Sequence, residues 1–268
     1  MHLAGSHVLL TGATGVIGRR LAARLAVAGA RVSLVARGHG ALEELAAEVG
    51  GWAVSADLTD PAALAGVVAG AEERGGPVDV LVNNAGVETA GHLADATAED
   101  VASTVGLNLT APLELTRQVL PGMLERRRGH VVAISSLSGV ATFPGLAVYG
   151  GTKAGLTHAM SGIRADLRGT DVGTLTVEIG PVVSEMMDRI GEHGPTARSF
   201  DRALRLGALG LLEPDAVASA VVQAVRSGRP HLRLPRRAAP LARLTGAPRV
   251  LVRTALTGIP GRPPADAR

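Results

Sequence analysis

The chain has 268 residues and no cysteine, which excludes disulfides and thiolate metal centres and is compatible with a reducing cytoplasm. Net charge is only +3 and unevenly spread: residues 226–268 hold ten arginines against one acid, Asp266, whereas the residues before them carry an acidic excess. The high isoelectric point is therefore a property of the C-terminal stretch and does not mark a nucleic-acid-binding face. No apolar run is long enough for a transmembrane helix and no leader-like pattern precedes the first strand, so a cytoplasmic protein is expected.

The predicted elements alternate. A strand over 8–10 runs into Thr11-Gly12-Ala13-Thr14-Gly15-Val16-Ile17-Gly18, followed by a helix over 19–28 and a strand over 31–36. Strand, glycine loop, helix and strand within about thirty residues form the context a dinucleotide fingerprint requires. The alternation continues with helix 41–49, strand 52–56, helix 61–73 and strand 78–82, which argues for a parallel sheet covered by helices on both faces. A long helix is expected from Thr97, capped through Asp100, towards Arg126, with a bend near Pro112. Strand 130–134, a helix carrying Tyr149 to about Leu167, strand 172–179, an irregular segment over 180–212, helix 214–225 and strand 231–234 complete the reading.

Four sites carry chemistry-bearing residues. The glycine loop allows backbone to approach a pyrophosphate, whose charge the following helix N-terminus meets. Asn83-Asn84-Ala85-Gly86 ends the fourth strand, and Asn108 is the chain's remaining asparagine. Ser135-Ser136 closes the fifth strand, where open α/β sheets bind ligands. Tyr149 is the only tyrosine and Lys153 the only lysine, the other 26 basic side chains being arginine. Four residues apart on a helix they share a face, and an adjacent ammonium favours the phenolate, so the pair reads as a general acid/base.

Together these residues resemble the short-chain dehydrogenase/reductase family over roughly residues 6–230: the glycine loop, Asp57-Leu58, the turn 83–86, a helix asparagine, a serine thirteen residues before tyrosine, and Tyr149-x-x-x-Lys153, all in family order. The resemblance implies a single Rossmann-type, doubly wound α/β domain with strand order 3-2-1-4-5-6-7. It implies Tyr149 as the acid/base, Lys153 as the group that lowers its pKa and holds the nicotinamide ribose, Ser136 as the partner of the substrate carbonyl, and Asn108 as the anchor of a relay water. Cofactor contacts would come from Gly12, Thr14, Gly15, Val16, Ile17 and Gly18, from Asp57 and Leu58 near the adenine, from Asn84, Ala85 and Gly86, and from Gly180, Val182 and Ser184 after the sixth strand. No metal site is expected. The glycines at 12, 15 and 18 are spaced as in the extended branch of epimerases and dehydratases, whereas the turn 83–86, Asn108 and the short C-terminal region fit the compact branch.

The second strand ends Val35-Ala36-Arg37 with no carboxylate to repel a 2′-phosphate, so NADP(H) is favoured over NAD(H), with Arg37 as the phosphate contact. Met186, Met187, Ile190, Phe200, Leu204, Leu206, Leu209, Leu211 and Leu212 fall in the substrate-loop position, 184–212, and read either as the lining for a lipophilic ketone or alcohol or as a lid burying its own apolar face. The domain is expected over 1–235, followed by a basic extension and loose tail over 236–268. Its amphipathic stretch, 236–257, could lie on an anionic membrane or pack on its own protein or a neighbouring subunit. Relatives often pair through the helices holding Asn108 and Tyr149, so a homodimer or homotetramer is expected. The leading expectation is a reductase or alcohol dehydrogenase acting on a small lipophilic molecule. A non-catalytic nucleotide-binding regulatory protein and an extended-branch epimerase or dehydratase stay open beside it.

Overall fold

A computed structural model describes residues 1–141, 143–184, 187, 194–205 and 210–235. Met186, Ile190, Leu206 and Leu209 of the expected substrate lining, and the basic segment 236–257, lie outside the described residues.

Seven parallel strands form one sheet in the order β3-β2-β1-β4-β5-β6-β7. They are β1 His7–Thr11, β2 Arg31–Ala36, β3 Trp52–Ser55, β4 Val80–Asn83, β5 Gly129–Ser136, β6 Val172–Ile179 and β7 His231–Leu234. The expected order is the one observed. Strands buried on both faces read as continuous apolar runs, and their register sorts the side chains. Val8, Leu10, Val80 and Val82 enter the core beneath α1 (Val16–Val27), α2 (His39–Val49) and α8 (Pro214–Arg226). Leu9, Leu81 and Val131 enter the opposite core, under α3 (Pro61–Gly75), α5 (Ala111–Glu125) and α6 (Ala147–Asp166). Strand order reverses between β1 and β4, and the crevice beyond their C-terminal ends is where such sheets take ligands.

Two segments differ from the sequence reading. The long helix is continuous over 98–125 as expected, entered through the Thr97–Asp100 capping box, but it is interrupted by a π-helical turn, Gly106–Thr110, between α4 (Ala98–Val105) and α5 (Ala111–Glu125). Pro112 follows that turn, and because the backbone before it is already helical its missing N–H removes one bond of the helical ladder there. The segment 180–212, read as irregular, contains a helix, α7 (Gly194–Arg205), whose Phe200 is buried on the body of the protein and whose Thr196 hydroxyl donates to the Pro144 carbonyl at 2.6 Å. Among the described residues no helix is long and apolar enough to cross a membrane.

The end of the sheet away from the crevice is a polar seam. His7 is fully buried, its Nδ1 donating to the Gly76 carbonyl at 2.6 Å and its Nε2 facing the Ser33 hydroxyl at 2.8 Å, while its backbone N–H donates to Asp79. His130, the second residue of β5, is buried, with no partner for Nε2 among the described residues. Burial holds both imidazoles neutral, His7 below its ordinary value and His130 down to about 4. The unfolded chain binds these protons near pH 6.5 and the folded one does not, so their contribution is complete above that pH and drains away as pH falls. We expect the His130 share, on the order of 3 kcal/mol, to disappear between about pH 6.5 and pH 4. Urea midpoints measured across this window should fall with pH, and a His130→Leu variant should give a shallower slope.

Candidate active site

The site begins where β1 stops. Thr11 turns its hydroxyl across the switch point, accepting from the backbone N–H groups of Asn84 and Ala85, each at 3.0 Å, and donating to the Val82 carbonyl. The Asn84 amide returns the tie by donating to the Thr11 and Gly12 carbonyls at 3.0 and 3.1 Å. Gly12 has φ +63°, and a Cβ there would stand 2.7 Å from the Ala85 Cα. At Gly18 a Cβ would stand 2.1 Å from the Gly12 carbonyl oxygen. These two glycines are therefore required by close packing. Gly15 is different: a Cβ there meets only the Gly12 oxygen at 3.4 Å, and as N-cap of α1 it supplies no side-chain acceptor. The first N–H groups of α1 are left without a side-chain cap at the cavity wall, a ready anion site. The spacing 12, 15, 18 thus keeps the packing glycines at either end and places Val16, 40 % exposed, on the cavity side.

Asn108 is fully buried, not an exposed helix residue. Its Nδ2 donates to the Val87 carbonyl at 2.7 Å and its Oδ1 accepts from the Val87 N–H at 2.9 Å. A third bond runs from Nδ2 to Thr152 Oγ1, which itself donates to the Tyr149 carbonyl. One amide thereby couples the chain after β4 to the helix that carries the phenol. Gly86 lies in the same junction, where a Cβ would stand 3.1 Å from Asn108 Oδ1 and 3.3 Å from Lys153 Nζ.

Ser136 ends β5 and accepts from the Ser138 N–H at 3.1 Å, and its hydroxyl favours ionisation of the nearby Tyr149 phenol. The following short turn, Leu137–Gly139, presses on α6, and a Cβ on Gly150 would come within 2.8 Å of the Ser138 oxygen. The glycine after Tyr149 is what lets serine and phenol approach. Lys153 is buried one turn on, its Nζ 5.7 Å from the phenol ring centroid and donating to the Ile134 carbonyl at 3.1 Å.

The expected lowering of the phenol by the ammonium is not what this geometry gives. Burial dominates both groups: it pushes Tyr149 up to about 12, against the Ser136 hydroxyl and with the help of Glu88, and pulls Lys153 down to about 8.

A cavity of about 400 Å³ joins these parts. Gly12, Thr14, Gly15, Val16, Ile17, Gly18, Arg37, Asp57, Leu58, Asn84, Ala85, Gly86, Ser136, Tyr149, Gly180, Val182 and Ser184 all line it. Asn108 and Lys153 do not, and stand behind the wall formed by Gly86 and Tyr149. Arg37 follows β2 and is exposed at one end, where Asp57 takes up a local role, accepting from the N–H and hydroxyl of Thr59. Thr59 also lines the cavity, as do Leu107, Leu137, Phe143 and Leu146, which sequence reasoning passed over. The scarcity of aromatics was the available signal for Phe143: it stacks on Phe200 with ring centroids 4.6 Å apart, so three of the chain's four aromatics meet at this cavity. Of the described apolar loop residues, Met187 and Phe200 reach the lining, Leu204 packs behind them, Leu212 bridges to Val182, and Leu211 is exposed.

An uncapped helix start at the switch point of a parallel sheet, opening towards a buried hydroxyl, phenol and ammonium, defines a nucleotide-binding α/β oxidoreductase. A family model described as short chain dehydrogenase matches residues 6–194. An uncharacterized short-chain type dehydrogenase/reductase of Sinorhizobium fredii is 37% identical over 195 residues, 72% of this chain and 77% of that protein. The ketoacyl reductase HetN of a Nostoc species is 36% identical over 230 residues, 84% of this chain and 77% of that protein. A solved short-chain dehydrogenase from Sphingobium yanoikuyae, in complex with NADPH, superposes with a TM-score of 0.79 at 30% identity, covering 92% of this chain and 95% of that one. The chain belongs to the short-chain dehydrogenase/reductase family.

If Asn108 is the coupling between the two halves of the site, Asn108→Ala should strand the Val87 N–H and carbonyl and cost about 2–4 kcal/mol. Thermal unfolding of the variant checks the magnitude, and a loss within about 0.5 kcal/mol would show that the amide is dispensable.

Proposed function

We propose that the protein is an NADP(H)-dependent oxidoreductase that interconverts a lipophilic ketone or aldehyde and its alcohol, with Tyr149 as the proton donor and acceptor. The observation that supports this most directly is the shared cavity, lined by the uncapped start of α1 and Arg37 and also by Ser136 and Tyr149. The fit to a dinucleotide is physical. Gly15 leaves helix N–H groups for a pyrophosphate, the exposed guanidinium of Arg37 can hold a 2′-phosphate, and Gly86 keeps the wall beside Lys153 free of side-chain bulk.

When bound, the dihydronicotinamide supplies a hydride to the carbonyl carbon. The chain's own residues then place the substrate oxygen and supply a proton. Ser136 holds that oxygen through its hydroxyl, and Tyr149 gives up its O–H proton as the alcohol forms. A phenol held near 12 keeps this proton throughout the neutral range. Lys153, the one amine side chain, would hold ribose hydroxyls by reaching past Gly86, and Asn108 fixes the backbone on which both cofactor wall and phenol depend.

The substrate class follows from the other wall. Leu137, Phe143, Leu146, Met187 and Phe200 give a lining with few polar groups, suited to an apolar body carrying one carbonyl. The ketoacyl reductase relative and the NADPH-bound neighbour are consistent with that chemistry.

Tyr149→Phe should lower turnover by at least about 100-fold while NADPH binding persists. Near-full activity in that variant would remove Tyr149 as the acid. Arg37→Ala should weaken NADPH binding by about tenfold or more and leave NADH binding almost unchanged. Fluorescence titrations with the two nucleotides, followed by a panel of hydrophobic ketones, measure both effects.

A further inference from the structure

The two main cores, on either face of the sheet, contain no aromatic ring: their buried apolar side chains are aliphatic or methionine. Trp52 stands apart, against His7 in the seam at the far end of the sheet. The other three rings of the chain, Tyr149, Phe143 and Phe200, share one small cluster at the cavity. This protein therefore fills its interior with leucine, valine and alanine, and such side chains could have closed the space at 143 and 200 as well. Packing alone gives no reason for phenylalanine at these two positions.

Their geometry supplies one. Phe143 belongs to the loop between β5 and α6, midway in sequence between Ser136 and Tyr149, and Phe200 is buried on α7. The rings stack with centroids 4.6 Å apart and planes 7° from parallel. The two segments are clamped beside the stack, because Thr196, one turn before Phe200, donates its hydroxyl at 2.6 Å to the carbonyl of Pro144, the residue after Phe143. Both rings line the cavity that Ser136 and Tyr149 also line, as does Met187, which packs on the same cluster. Rings held in one orientation present their faces and edges in fixed directions. A planar aromatic group gains from stacking on such a face or meeting such an edge, beyond the burial that a saturated ring of the same size would gain, and a thioether favours the aromatic group too.

We propose that Phe143 and Phe200 are specificity-determining residues, and that the substrate carries an aromatic ring seated against their stack with its carbonyl at Ser136 and Tyr149. The inference rests on the carbonyl-reductase reading of this cavity and narrows its lipophilic substrate to an aryl one. Because Phe200 and Tyr149 belong to one packed cluster, the ring lies close to the reacting carbonyl rather than at the end of a long chain. An unbranched alkyl chain would draw no such advantage from the stack.

Phenylacetone and cyclohexylacetone form a matched pair, since a methylene insulates each carbonyl from its ring and only the saturation of the ring differs. With NADPH the wild type should favour phenylacetone in kcat/KM by about 3–10-fold. Phe143→Leu and Phe200→Leu should each bring that ratio close to one, and Phe143→Tyr, which keeps a ring, should retain it. A wild-type ratio at or below about one overturns the proposal without recourse to any variant. So does a ratio that both leucine variants keep, because a fall of the two rates in step is what a purely structural stack would give. Calorimetric titration of the two corresponding alcohols into the wild-type protein, with NADP present, supplies a readout without turnover. Tighter binding of the aryl alcohol by a protein that reduces neither ketone would leave the aromatic seat standing and place the failure with the reductase reading, whereas equal affinities, or no binding of either, would overturn the seat itself.

Discussion

The paired hydrogen bonds between the Asn108 side chain and the Val87 backbone hold together three elements that the sheet alone would leave independent. Both partners are polar groups withdrawn from water, so neither can be released without leaving the other unsatisfied. Asn108 lies within the π turn at Gly106–Thr110, the irregular stretch of the helix that precedes Pro112. Through Thr152 the same amide reaches the Tyr149 carbonyl, and the chain after β4 is thereby fixed against α6. The cavity wall and the phenol take their positions from that junction.

Much of this architecture was legible in the residues. Apolar runs separated by helical stretches specify parallel strands, and the handedness of the crossovers leaves few sheet orders to choose from. Gly12, Gly18 and the turn 83–86 were identifiable because close backbone approach leaves a mark in residue type that survives without any knowledge of the fold. Tyr149 and Lys153 stood out because each is the last of its kind in the chain. Pro112 announces an irregularity in this helix, and the structure places it as a π turn just before the proline. The meeting of Phe143 with Phe200 was hidden, since two residues 57 positions apart carry no local signal that they stack.

Electrostatics diverged from expectation for a related reason. Sequence places a cation four residues from a phenol and invites a pairwise argument, but the balance between burial and charge depends on what surrounds both groups. Here one of the three ammonium donors goes to Ile134 and both groups are buried, so desolvation is the largest influence on their protonation. The resulting order is chemically useful: an acid that retains its proton stands beside an amine that has become easier to neutralise. A charge pair exposed on a helix surface would behave in the opposite way.

The scarcity of aromatic rings has an optical consequence. Trp52 opens β3 and meets His7 edge-on at 6.0 Å, in the polar seam at the far end of the sheet, whereas Tyr149 stands at the crevice. The molecule thus carries a single indole and a single phenol at opposite ends of one sheet, and each is a site-specific chromophore without any label. Fluorescence of the first and absorbance of the second would separate an event confined to the catalytic end from one that begins where the strands enter.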